Sequence, residues 1–208
     1  MKSTLLHPAY FPSILQMAAV AQSKKVIFEA KDNYQKQTYR NRTYIAHSNG
    51  ILLLNVPILH IKNGLRQKSK DVRVENNFPW QTQHWKSLQS AYRTSPFFEF
   101  YEDELSPIFH YKVDSLFEHN LKVHELMCEL IGLSPEFGYT EIYENDITSI
   151  DARVLINAKS KFDTIFAPYK QVLQPEGEFI PNLSILDLLC NEGPNAIEYL
   201  ENIPLDFL

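Results

Sequence analysis

The first thirty residues alternate an apolar stretch, a helix-compatible stretch and a second apolar stretch. Residues 2–7, with Leu5 and Leu6 before His7, read as a strand. Pro12 falls where proline suits a first helical turn, and Ser13 to Gln22 continue the helix. Val26-Ile27-Phe28-Glu29-Ala30 reads as the next strand. Strand, helix and strand at this spacing predict a βαβ unit, which commits the chain to a parallel sheet.

Beyond this unit, Asp32 to Arg42 is polar. Residues 43–47, then Ser48-Asn49-Gly50, then Ile51 to Leu59 carry a hairpin signal, because Asn-Gly supplies the positive φ angles of a tight turn. Residues 60–70 form a basic loop and residues 71–75 read as a strand. Pro79-Trp80 opens a helix to about Tyr92, and Ser95-Pro96 caps another to Leu105. Apolar spacing predicts a helix from Pro107 to Ile131, ended by Gly132. Residues 139–143 look strand-like, and residues 184–193 form a short helix with another turn from Pro194. The expected fold is α/β. A mixed sheet begins with the βαβ-like unit, and the second half is mainly helical. One domain spans 1–208, with a sheet-rich basic part (1–78) and a mainly helical acidic part (79–208).

Net charge is −5, unevenly spread. Residues 24–93 hold 13 Lys/Arg against 4 Asp/Glu; residues 94–208 hold 6 against 21. The asymmetry points either to an anionic ligand held by the first half or to pairing between the halves. The negative total and the lack of a known binding motif argue against nucleic acid. No apolar run approaches the roughly 20 residues of a membrane span. The N-terminus lacks a leader pattern, so a cytoplasmic protein is expected. Two cysteines, Cys128 and Cys190, fit a reducing compartment as buried apolar thiols.

Three groups of residues could carry chemistry. His7 ends the first strand, where open α/β sheets bind ligands, and Tyr10 follows it. The helix after it would offer free N–H groups to an anion. Asp32, Tyr34, Gln35, Lys36, Arg40, Asn41 and Arg42 start where the second strand ends. Their cations suit phosphate, and Asp32 suits a base, a magnesium ligand or a residue that orients His7. Trp80, His84, Trp85 and Leu88 share a helix face; His84 with Lys86 could reach a site. Lys62, Arg66, Lys68 and Lys70 form a lid over an anion, a nucleic-acid contact or a solvated loop. His119, His124 and Cys128 lie on one helix, but two ligands a turn apart do not make a metal site. Asp187 interrupts an apolar run, either on a helix face or buried. Glycine-rich phosphate loops, a GxSxG elbow and a CxxC pair are all absent from the sequence.

Taken in order, His7-Pro8-Ala9-Tyr10-Phe11-Pro12, Asp32-x-Tyr34-Gln35-Lys36, Tyr39-Arg40-Asn41-Arg42 and Leu54-x-Val56-Pro57 resemble the WbqC-like family. The resemblance continues through Trp80-x-x-x-His84-Trp85-Lys86-Ser87-Leu88-x-x-x-Tyr92, Ser95-Pro96-Phe97-Phe98 and the helix from Leu116 to Leu133, covering roughly residues 5–140. It implies a setting in O-antigen or other surface-polysaccharide biosynthesis, with acyl or aminoacyl (glycyl) transfer onto a sugar. On that reading His7, Asp32 and His84 are catalytic. Tyr10, Tyr34, Gln35, Lys36, Arg40, Asn41, Arg42 and Lys86 bind a nucleotide-linked or phosphorylated small molecule. The alternative is a non-catalytic module that binds a nucleotide sugar or a partner. The sequence specifies no cofactor and no metal site.

Overall fold

The computed structural model describes residues 3–59, 66–143, 149–174 and 177–208. Lys62, one of the four loop cations, lies outside them. The expected βαβ unit is present: β1 (Ser3–Leu6), α1 (Ile14–Ala21) and β2 (Lys25–Phe28). β1 and β2 pair in parallel, with Leu6 opposite Phe28. β5 (Glu136–Tyr139) adds in parallel outside β2, and β6 (Ile150–Asp151) adds outside β1. The order is β5-β2-β1-β6. α1 is buried along its whole length.

The hairpin is also present, as β3 (Arg42–His47) and β4 (Gly50–Asn55), with Gly50 at φ 116°. A left-handed φ at that place favours glycine. The α/β class is therefore as read, but the strands do not share one sheet. The larger sheet is wholly parallel and the hairpin is a separate two-stranded ribbon.

The helices are α2 (Trp80–Tyr92), α3 (Phe98–Leu105), α4 (Leu116–Ile131), α5 (Ile185–Glu192) and α6 (Ala196–Glu201). The core draws on both halves, from Leu6 and Phe28 to Leu189 and Leu200. α6 packs on α1, and Gln22 donates to the Leu200 and Ile203 carbonyls at 3.0 and 2.8 Å.

Five boundaries differ from those the sequence predicts. Pro12 precedes α1 rather than starting it. Ser13 is extended (φ −66°, ψ 158°) and caps the helix by accepting from the Gln16 amide. Residues 71–75 form only single bridges, because their partners at 58 and 115 leave after one pairing each. The helix expected from Pro107 breaks in two. A 3-10 turn ends at Phe109, and α4 starts only after Ser115, which is extended and accepts from the Glu118 amide at 3.3 Å. β5 comes before the 139–143 segment, and α3 starts after Phe97 rather than at Ser95, whose hydroxyl turns back to Tyr92 O.

Candidate binding cleft at the sheet edge

Three adjacent strands deliver polar side chains to one edge of the parallel sheet. His7 follows β1. Glu29 and Asp32 follow β2, and Arg153 follows β6. β1 hands on to β2 on one side, while its other neighbour, β6, comes last in sequence. Parallel sheets bind ligands beyond the carboxyl ends of their strands, where strand order reverses.

The loop after β1 is held by five of its backbone groups. His7 O accepts from Gln16 Nε2 at 2.8 Å, and Pro8 O from Asn120 Nδ2 at 3.2 Å. The Ala9 amide donates to His124 Nε2 at 3.0 Å, and the Tyr10 amide to Tyr39 O at 2.9 Å. Phe11 O accepts from Thr43 Oγ1 at 2.8 Å. Phe11 sits at φ 41°, an uncommon angle for a bulky residue. Its ring is fully buried and stacks on Phe109, centroids 5.6 Å apart. Packing and these bonds together impose that backbone and fix where His7 stands.

His7 Nδ1 lies 3.6 Å from Asp32 Oδ2, and both residues are buried. At that distance the contact is electrostatic rather than a hydrogen bond. Arg40, 3% exposed, donates from Nη2 to the same Asp32 oxygen at 2.5 Å and from Nη1 to Thr38 Oγ1 at 3.3 Å. Its charge is therefore committed to Asp32 beneath the cleft. Asn120 Nδ2 also ties the Arg40 carbonyl at 2.7 Å. Burial, then the Arg40 and Arg153 charges, hold the His7 imidazole well below its ordinary pKa, so it is neutral at pH 7.

Above this floor opens a cleft of about 530 Å³ whose walls include His7, Asp32, Tyr34, Gln35 and Tyr143. Lys31, Arg66 and Lys68 supply its cations. Lys68 Nζ donates to Lys31 O at 2.9 Å, and Tyr34 N to Gln67 O at 2.8 Å, so segments 31–36 and 66–69 are stitched together. Burial pushes the Tyr34 hydroxyl up to about 12.

The structure thus brings together His7, Asp32, Tyr34 and Gln35, with Arg40 behind them. Lys36, Asn41 and Arg42 line a neighbouring cavity across Tyr34. Tyr10 and His84 contact each other but stand apart from this cleft. They are buried in the core, Tyr10 Oη lies 2.8 Å from His84 Nδ1, and Trp80 and His119 pack around them. Their aromatic setting, which the sequence shows only as helical spacing, is interior. Lys86 is exposed on α2 and does not line the cleft. The α1 amides once expected to meet an anion are consumed internally: Ile14 N by Leu183 O, Leu15 N by Asn182 Oδ1 and Gln16 N by Ser13 Oγ.

Glu29 was missed. It is fully buried, accepts from the Lys31 amide and Thr140 Oγ1 at 2.7 and 2.8 Å, and has Oε2 3.5 Å from Arg153 Nη1. With His7, Arg40 and Asn120 it lines a void of about 10 Å³ under the cleft. Its signal was an acid closing an apolar strand. His124 spends Nε2 on Ala9, and burial drives Cys128 up to about 12, so each is engaged in the interior. Cys190 is buried too.

Fold and cleft define an α/β protein with a cation-lined pocket at the carboxyl edge of a parallel sheet. The chain belongs to the WbqC-like protein family, which matches residues 7–164 and 157–199. It is also similar to "Uncharacterized protein Rv1507c" of Mycobacterium tuberculosis, 27% identical over 197 residues, covering 80% of this chain and 83% of that protein. No solved structure matches the chain. Among the described residues, no helix is long and apolar enough to cross a membrane.

Proposed function

We propose that the cleft binds a nucleotide-linked or phosphorylated small molecule. The chain then acts in the cytoplasm as a transferase of O-antigen or other surface-glycan biosynthesis, moving an acyl or aminoacyl group onto a sugar amine or hydroxyl. The glycan setting comes from the motif resemblance. The observation that carries the site is a buried, neutral His7 at the sheet edge, opening into a cleft with Lys31, Arg66 and Lys68.

In this reading the neutral imidazole takes the proton from the attacking sugar amine or hydroxyl as the new bond to the acyl carbon forms. The leaving group departs with its electron pair, and the cleft cations stabilise its charge. Asp32 keeps the imidazole in place and favours the imidazolium that forms, while Arg40 prevents Asp32 from becoming an uncompensated buried charge.

The test is turnover on a panel of nucleotide sugars with acyl and aminoacyl donors, followed by His7→Ala on any productive pair. The expected loss in kcat is about 100-fold or more, with substrate binding nearly unchanged. Because His7 is held below its ordinary pKa, kcat should stay level as pH falls through about 6.5. Binding of nucleotide sugars without product from any pair would instead support the non-catalytic module.

A further inference from the structure

Tyr34 is a shared wall. On one side lies the His7 cleft; on the other a cavity of about 370 Å³ is lined by Tyr34, Lys36, Asn41, Arg42 and Asn55, among others. That second cavity has two cations and no carboxylate in its lining. We propose that it is a separate oxyanion compartment, which takes the phosphate or carboxylate of a second small molecule while the first occupies the His7 cleft. The proposal rests on the reading of the His7 cleft as one half of a two-reactant site.

The two cavities differ in how their arginines are used. Arg40 is spent on Asp32. Arg42 opens β3 and has no ion-pair partner among the described residues, and its Nε is buried without a hydrogen bond. An unpaired guanidinium at a cavity wall is a fork suited to the two oxygens of a phosphate or carboxylate. A buried donor left unpaired is costly, so an anion seated there gains more than it would on a solvated lysine. Lys36 is exposed at the rim and adds charge.

The wall behind Arg42 is fixed. Asn41 Nδ2 donates to Asn55 Oδ1 at 3.1 Å and to Val56 O at 3.0 Å, while Val56 N donates back to Asn41 O at 2.8 Å. These bonds lock the open end of the hairpin. They also orient Asn55 by its oxygen, which leaves its amide N–H groups as donors. A single anion site would not need two cation sets divided by a half-buried tyrosine. Two reactants that must meet without exchanging places would.

Isothermal titration with inorganic pyrophosphate, and separately with malonate, tests the proposal on the full chain. The phosphate and carboxylate arms show which anion the compartment prefers. Two sites per chain are expected for at least one probe. Arg42→Gln should weaken one of them about tenfold or more and leave the other, whereas Lys68→Gln should do the reverse. Lys36→Gln, on an exposed side chain, gives the Arg42 readout without disturbing hairpin packing. One site only, no binding of either probe, or two sites indifferent to Arg42→Gln and Lys36→Gln would overturn it. If glycan transfer is never observed but the two-site pattern holds, the functional reading fails and the compartment stands.

Discussion

At the scale of single residues, the Asp32–Arg40 pair decides most. Both side chains are buried and their contact is 2.5 Å. Removing one partner strands the other charge in the interior. Asp32→Ala should lower unfolding free energy by about 3–5 kcal/mol, and the double change Asp32→Leu with Arg40→Met should recover much of it. Urea unfolding of the two variants checks this; equal losses in the single and double variants would contradict it. Tyr10 gives a second prediction. Tyr10→Phe removes the hydroxyl facing His84 Nδ1 and should cost about 1–3 kcal/mol. Ligand affinity in the cleft should change less than twofold, as expected of a core residue. The positions of His7 and Asp32 at the sheet edge were legible because strand ends are. Arg40 was legible as a cation, but nothing along the chain said that its partner would be Asp32 and not a ligand.

At the scale of elements, the boundaries depended on contacts the sequence does not display. The helix from Trp80 to Tyr92 and the Gly132 stop were readable because periodicity and a left-handed cap are local: Gly132 has φ 85°. Ser115-x-x-Glu118 also carried a local cap signature, but the apolar residues on both sides masked it. The α1 start was misplaced because Ser13 pairs with Ser184, some 170 residues on, and is extended as a result. α5 makes the same point at its C-terminal end. Gly193 has φ 52°, and a Cβ there would lie 2.5 Å from the Phe97 ring. Gly193→Ala should therefore lower stability by at least about 1–3 kcal/mol, seen as a Tm drop of several degrees. An unchanged Tm would mean that the α3–α5 contact adapts freely.

At the scale of the whole molecule, three histidines of the core join the buried His7 in setting the acid limit. Burial takes His84 down to about 4, and His119 and His124 to about 3. Unfolding restores each to about 6.5, so the unfolded chain binds more protons below that pH. Their contribution is fully present above about pH 6.5 and is lost as pH falls towards the folded values. By pH 5 each should cost about 2 kcal/mol. Asp187 and Glu192, whose carboxyls burial pushes up, work in the opposite sense to these histidines. The urea midpoint should fall steadily from pH 7 to pH 5; a flat profile would show that these rings meet water in the folded state.

Taken alone, the sequence determined the βαβ start, the Asn-Gly hairpin, the central helices and the strand-end position of His7. Each of these follows from a few neighbouring residues: apolar spacing, a cap, a turn dipeptide. The tertiary structure decided what those segments meet. It drew β5 and β6 from the second half to flank β1 and β2, too short to announce themselves. It put Tyr10 and His84 inside, spent the α1 amides on the chain itself, turned Arg40 onto Asp32, and divided the polar run from Asp32 to Arg42 between two cavities at Tyr34. Those outcomes depend on partners distant in sequence or on the far side of a loop, and local periodicity carries no record of them.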